Sequence, residues 1–327
     1  MIRCRTRIES WELIEPFAIA RGTVAQVPVL VAELLAVDGH VGRGEAAGVD
    51  YDGETPASMA AQIEAVASEF QDGLDGACLQ RLLPAGGARN ALDCALWDLR
   101  AKQSGIPVSR TAGLAELRPV TTVFTIGLGD AAAVARKARA AAAYPILKLK
   151  VDAERHVDVV RLVRQEHPHA RLIVDANEGF SRALLERLLE PLAALGVELI
   201  EQPLPRGEDA ALDGLPTPVA LAADESCTDA ASLPLLAGRY AYANIKLDKC
   251  GGLTEALAMV EEARRLGLGL MVGNMCGTSL AMAPAFLLAQ RCRYVDLDGP
   301  LLQCQDREHP IRFETALMYP PERALWG

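Results

Sequence analysis

The sequence predicts an α/β fold: a modified (β/α)8, TIM-like barrel over residues 116–304 behind an α+β capping domain over residues 1–115. A last segment, 305–327, is too short to fold alone and is expected to pack on the capping domain. Three observations carry this prediction. From about residue 120, short apolar runs alternate with Ala- and Leu-rich stretches of helical periodicity at a pitch of roughly 20–30 residues, as βα units do. Ahead of them, strand-like runs come in succession and only then give way to helices. Finally, 327 residues, half of them hydrophobic, exceed what one small core takes up.

In order along the chain, "RTRIESWELIEPF", "VPVLVAELLAVDG" and "VGRGEAAG" are expected as antiparallel strands. The helices "ASMAAQIEAVASEFQ" and "ARNALDCALWDLRAKQSG" follow; in the second, Leu92, Ala95, Leu96 and Leu99 share a face, and Gly105 with Pro107 ends it. The barrel strands are expected at "TTVFTI" (121–126), "ILKLK" (146–150), "RLIVD" (171–175) and "ELIE" (198–201). The series continues with "VALAAD" (219–224), "YANIK" (242–246), "GLMVG" (269–273) and "RYVDL" (293–297). Helical stretches such as "SRALLERLLEPLAAL" and "GGLTEALAMVEEARRLG" lie between them, and the helical signal is weakest after Glu201.

Composition narrows the function classes. No apolar run approaches the ~20 residues of a membrane helix, and the first residues do not resemble a signal peptide. Eight scattered cysteines without a CxxC suit free thiols in a reducing cytoplasm. A formal charge of −10 argues against a nucleic-acid partner. A soluble cytoplasmic protein is expected, with a homo-oligomer compatible with the sequence.

Charged residues sit at the C-terminal ends of the expected strands: Lys150, Asp175, Glu201, Asp224 and Lys246, at intervals of 25, 26, 23 and 22 residues. Each interval is about one βα unit, and barrel active sites form at that end of the strands. One such aspartate is commonly a helix cap; five charges on consecutive strands are not. Three carboxylates suit Mg2+, a hard cation that prefers oxygen ligands. Lys148 and Lys150 alternate onto one face, opposite Lys246. Crowded cations and burial are expected to lower a lysine pKa from ~10.4 towards neutrality, where the amine can serve as a base. Other motifs fail: "GLGD" lacks a third glycine, "CGG" reads as a helix start, and His40, His156, His167, His169 and His309 have no metal-ligand spacing.

"LKLK", "VDANEGF", "IEQPL", "ADES" and "NIKLDKCGGLTEA" resemble the signature strands of the enolase superfamily, in its muconate-lactonizing-enzyme subgroup, and "ARNALDCALWDL" resembles a capping-domain helix of that family. The resemblance spans nearly the whole chain; Phe180 stands where the family pattern "DANxxW" has tryptophan. Superfamily sites pair a Lys or His base with Mg2+. The resemblance therefore implies Asp175, Glu201 and Asp224 as ligands of one Mg2+ per subunit, and Lys150 and Lys246 as opposed acid/base residues. Lys148 would touch the substrate carboxylate, and Lys249 is the less favoured base.

Within the subgroup, "YVDLDGPLL" discriminates. Asp296 and Asp298 share a face and suit a substrate ammonium, such as the free amino terminus of a dipeptide. This resembles dipeptide epimerases, above all those acting on L-Ala-D/L-Glu, and implies two-base 1,1-proton transfer through a metal-stabilised enolate and a place in murein-peptide recycling. The alternative is an N-acylamino acid racemase or o-succinylbenzoate synthase. Arg21, in "FAIARGT", suits a second substrate carboxylate. The segment "VDYDGE" (49–54) is expected as a second lid, Thr125 matches a substrate-contacting threonine, and Asn274, expected beside the substrate, falls at a position that varies among related epimerases.

Overall fold

The structure, a computed structural model, describes residues 2–19, 22–72, 74–114 and 116–327. Three strands, β1 (Ile2–Ile19), β2 (Gly22–Ala36) and β3 (Val41–Ala46), form an antiparallel sheet in that order. The sheet buries one face under the helices Pro56–Val66 and Gly87–Ser104, where Leu30, Leu34, Met59, Ile63, Ala91, Ala95 and Leu99 pack together. The longer helix lies so close to β3 that a Cβ at Gly42 would collide with Ala95 O and Leu99 N, and one at Gly44 with Ala91 O. Only glycine fits there.

Eight parallel strands follow: β5 (Phe124–Ile126), β6 (Ile146–Lys150), β7 (Arg171–Asp175), β8 (Val197–Glu201), β9 (Ala220–Ala223), β10 (Tyr242–Ile245), β11 (Gly269–Val272) and β12 (Tyr294–Val295). Each pairs with its sequence neighbours in one curled sheet. The two edges meet where the Val123 N–H donates to Val295 O (2.9 Å) and the Leu297 N–H to Thr122 Oγ1 (2.9 Å). This is a capped TIM-like barrel.

Strand alternation sorts the side chains. Leu147, Leu149, Leu172, Val174, Ile200, Leu221 and Ile245 face outward into the main core. Val123, Ile146, Ile173, Leu199, Ala222, Met271 and Tyr294 point inward as an apolar plug. Moving two residues along each strand from that plug leads to Thr125, Lys148, Asp175, Glu201, Asp224, Gly273 and Asp296. The interior therefore turns from hydrocarbon to charge within one layer.

The expected strand 121–126 is two strands. Val120–Thr121 (β4) leaves the barrel to pair with Leu317–Met318 (β14), itself paired with Phe313–Glu314 (β13). After Glu201 there is only a 3-10 turn, Asp209–Leu212, because Pro203, Pro205 and Gly207 interrupt the stretch. The last segment bonds in two directions. Arg307 reaches Glu45 (2.6 Å), and Trp326 Nε1 donates to Cys94 O (3.0 Å). On the other side the Ser279 N–H, opening the helix Ser279–Ala289, donates to Asp306 Oδ1 (2.9 Å). Among the described residues no helix is long and apolar enough to cross a membrane.

Candidate active site

The strand register brings Lys150, Asp175 and Glu201 side by side at the strand ends, with Thr125 beside Lys148 one layer lower. Oxygens of Asp175, Glu201 and Asp224, one from each, lie within 4.8 Å of one another, and all three side chains are buried. Four ammonium groups surround them. Lys148 Nζ stands at the centre, 3.0 Å from Asp175 Oδ2, 3.1 Å from Glu201 Oε1 and 2.6 Å from Asp296 Oδ2. Lys150 Nζ donates to Asp175 Oδ2 (2.7 Å) and Asn177 Oδ1 (3.0 Å) on one flank. On the other, Lys246 Nζ donates to Asp224 Oδ2 and Lys249 Nζ to Asp224 Oδ1, at 2.7 and 2.6 Å. Lys249 also donates to Asp224 O and Asn244 O.

These contacts set the direction in which the carboxyl and ammonium groups are pushed. Burial pushes the Asp175 carboxyl up, but Lys148 and Lys150 together hold it below the usual range. Asp224 is likewise held well down by Lys246 and Lys249 against the effect of burial. Glu201 behaves oppositely: burial and the neighbouring Asp175 push it up to about 8. The expectation of depressed lysines is corrected here. Burial does lower Lys148 and Lys246, but the carboxylates touching them outweigh it and raise both. The sequence shows the crowding of cations and not the 2.6–3.1 Å contacts with anions that dominate it.

The cluster fits a hard divalent cation. Its donors are all carboxylate oxygens, and among the described residues Glu201 Oε2, buried, has no aligned hydrogen-bond donor, although Lys148 Nζ lies 2.9 Å away. A carboxyl pushed up by a neighbouring carboxylate is also one that an added cation would stabilise in its ionised form. Non-glycine residues with positive φ gather just beyond the strand ends: Asn177 (41°), Glu178 (68°), Gln202 (31°) and Cys276 (62°). Backbone strain of this kind collects at functional rims.

The remaining expected residues fall as follows. Asp298 is buried and its Oδ2 accepts the Thr125 N–H (2.7 Å); burial and Asp296 push its carboxyl up to about 7. Asn274 is occupied at both ends, donating to Asp296 O (2.7 Å) and accepting the Cys276 N–H (2.6 Å). Tyr51 belongs to a 3-10 turn, Asp50–Asp52, that an Asp52–Arg206 ion pair (2.5 Å) ties to the loop after β8. Arg21 lies outside the described residues. Sequence reasoning missed the neutral partners. Asn177 bridges Lys150 and Glu225 Oε1 (3.2 Å), and Gln202 Oε1 accepts the Asp224 N–H (2.9 Å). Asn244 meets Glu201 Oε1 (2.9 Å). Spacing could have found Asn244, which stands two positions before Lys246 on the same face.

A barrel whose interior ends in three convergent carboxylates flanked by lysines, under an antiparallel cap, defines a capped-barrel enzyme with a site for a cation. Residues 1–113 match the mandelate racemase / muconate lactonizing enzyme N-terminal domain, and residues 130–324 match the enolase C-terminal domain-like family. The chain belongs to this family of the enolase superfamily. It is 42% identical over 313 residues to the L-Ala-D/L-Glu epimerase of Escherichia coli (strain K12), covering 95% of this chain and 97% of that protein. It is 46% identical over 245 residues, 75% of this chain and 78% of the other, to an N-acetyl-D-glutamate racemase of Pseudoalteromonas sp. Among solved structures it superposes on an Agrobacterium tumefaciens enolase-family protein with homology to dipeptide epimerases, holding sodium and L-Ala-L-Glu; the TM-score is 0.97, with 42% identity and 100% of both chains covered. A dipeptide epimerase of Methylococcus capsulatus complexed with Mg and L-Arg-D-Lys gives 0.91, with 32% identity and 99% of each chain covered.

Proposed function

We propose that this chain is a Mg2+-dependent dipeptide epimerase acting on L-Ala-D/L-Glu, inverting the α-carbon of the C-terminal residue by two-base 1,1-proton transfer. The observation that carries it is the placement of Lys150 and Lys246 on opposite flanks of the carboxylate cluster, with Lys148 against Asp296 at its centre.

Asp175, Glu201 and Asp224 would hold the cation. When bound, Mg2+ supplies positive charge that polarises a substrate carboxylate and acidifies the adjacent Cα–H. Lys148 contributes a second positive charge to that carboxylate. One of Lys150 and Lys246 takes the α-proton, and the other, on the opposite face, delivers one. Asp296 and Asp298 receive the ammonium of the N-terminal residue; Asp298, buried beside a second carboxylate, gains a counter-charge by doing so. Arg21 pairs with the side-chain carboxylate of the substrate Glu, and Thr125 and Asn274 shape the wall beside it. In this reading residues 1–115 are the cap, 116–304 the catalytic barrel and 305–327 a strap returning to the cap. The eight free cysteines suit a reducing cytoplasm, and Ala-Glu as substrate places the protein in murein-peptide recycling.

The relative that racemises N-acetyl-D-glutamate supports a second reading, N-acylamino acid racemisation at the same site. The two readings differ at the ammonium. Turnover of L-Ala-L-Glu and N-acetyl-L-Glu is compared by kcat/KM, with and without EDTA. The dipeptide is expected to be preferred at least tenfold, and EDTA to abolish activity until Mg2+ is restored. Preference for the acetylated substrate selects the racemase; full activity in metal-free buffer overturns both.

A further inference from the structure

Asn244 is a fully buried polar residue that the proton-transfer scheme leaves unused. It sits on β10, one position before the last residue of the strand, and reaches across β9 to donate from Nδ2 to Glu201 Oε1 at 2.9 Å. On β9, the strand between the two, Ala222 is fully buried and in register with both Glu201 and Tyr242. On the other side of Asn244 stands Gly273, where a Cβ would lie 2.8 Å from Asn244 Oδ1, 2.9 Å from Nδ2 and 2.9 Å from Lys246 Cε. Gly273 has no positive φ, so its backbone suits any residue and only the space requires glycine. Two positions without bulk thus keep a slot open for one amide.

The amide is held in an orientation that costs stability. Its Oδ1 is buried and, among the described residues, has no hydrogen-bond partner. Turning the amide over would set that oxygen against the Glu201 carboxylate, so the carboxylate dictates which end faces it. A buried acceptor left unpaired is unfavourable, and a core position that breaks this rule points to a role other than folding. We propose that Asn244 is the positioning residue that fixes the Glu201 carboxylate for cation binding, in a slot kept open by Ala222 and Gly273. This rests on the reading of Asp175, Glu201 and Asp224 as the cation's ligands. Glu201 is the one of the three that Asn244 reaches, through Nδ2 to Oε1, and hydrogen bonds to ligating carboxylates orient them.

The test is calorimetric titration of Mn2+ alone into metal-stripped wild type, Asn244→Leu and Asn244→Ala, with thermal unfolding of each metal-free protein. Leu keeps the outline of the side chain, and Ala cannot clash. The expected result is a Kd for Mn2+ weakened about 10–100-fold, with a metal-free Tm equal to or above that of wild type. A folded variant whose Kd stays within about twofold of wild type overturns the proposal. So does a lower Tm with unchanged Kd, which would make Asn244 an ordinary structural residue. Failure of both variants to fold overturns it as well, since the slot is held to serve the carboxylate and not the fold. Wild type that binds no Mn2+ refutes the cation reading itself, and this inference with it.

Discussion

Lys246 and Lys249 touch the two oxygens of one carboxylate, Asp224, but they are not interchangeable. An ammonium has three donors, and Lys249 spends its own on Asp224 Oδ1, Asp224 O and Asn244 O. Lys246 is hydrogen-bonded to Asp224 Oδ2 and, among the described residues, to no backbone carbonyl. It can turn towards a substrate where Lys249 cannot. Lys246→Ala and Lys150→Ala are therefore each expected to lower epimerisation by about 10²–10⁴-fold. Each variant should still exchange the α-proton of a single epimer in D2O, read by NMR; an epimerising Lys246→Ala protein would remove the two-base scheme. The charged residues themselves were legible, because alternation and βα spacing bring strand-end charges to one rim. Their partners were not. Asn177 and Gln202 matter through contacts between separate strands, and a single strand does not announce what its neighbour presents; Asn244 shares a face with Lys246, but its bond to Glu201 is not visible from its own strand.

Among the elements, the loop after β3 and the turn Leu247–Cys250 after β10 are joined by one carboxyl group. Asp248 is buried and its Oδ1 accepts the Gly48 N–H at 2.9 Å. Burial pushes its carboxyl up to about 7, against ~3.9 in an unfolded chain. Between those values the folded state keeps a proton that the unfolded state has lost. The stability it contributes is thus complete below about pH 4 and falls as pH rises through about 7. Asp248→Asn, which can still accept the Gly48 N–H, is expected to remove that part of the slope. Urea midpoints of wild type and variant should converge at low pH, with the variant gaining on wild type by pH 8; parallel curves would contradict this. Strand positions were largely legible from apolar runs. The division of 121–126 was not, because the partner that draws Val120–Thr121 away, Leu317–Met318, lies almost two hundred positions later.

For the molecule as a whole, Arg307 is a tie between parts that the sequence separates. It pairs with Glu45 on β3 (2.6 Å), bonds Thr278 Oγ1 (2.9 Å) at the start of the helix Ser279–Ala289, and lies over the Trp11 ring at 4.7 Å. Removing one partner of a buried ion pair costs about 3–5 kcal/mol when the other is left uncompensated; here Glu9, 2.5 Å from Arg307, leaves it a second carboxylate. Glu45→Ala is therefore expected to lose stability at the lower end of that range, about 3 kcal/mol, in guanidinium unfolding, and Glu45→Met with Arg307→Met to recover part of it, Glu9 keeping its contact with Arg7. A loss below about 1 kcal/mol would mean that the pair is as weak as an exposed one. That a cap precedes a barrel was legible from periodicity, whereas the contacts of the last residues, such as Arg307 with Glu45 and Asp306 with Ser279, join positions far apart in the chain. Gly42 and Gly44, pressed against the helix Gly87–Ser104, have a consequence for how such a chain changes by mutation. A residue at the barrel mouth can be exchanged singly, and each exchange alters what is recognised while leaving the cap intact. At 42 and 44 no single exchange is neutral, because a side chain there demands that an entire helix move first. Any change at either position would thus have to arrive together with a shift of the helix Gly87–Ser104, a constraint on the chain that is independent of what the barrel binds.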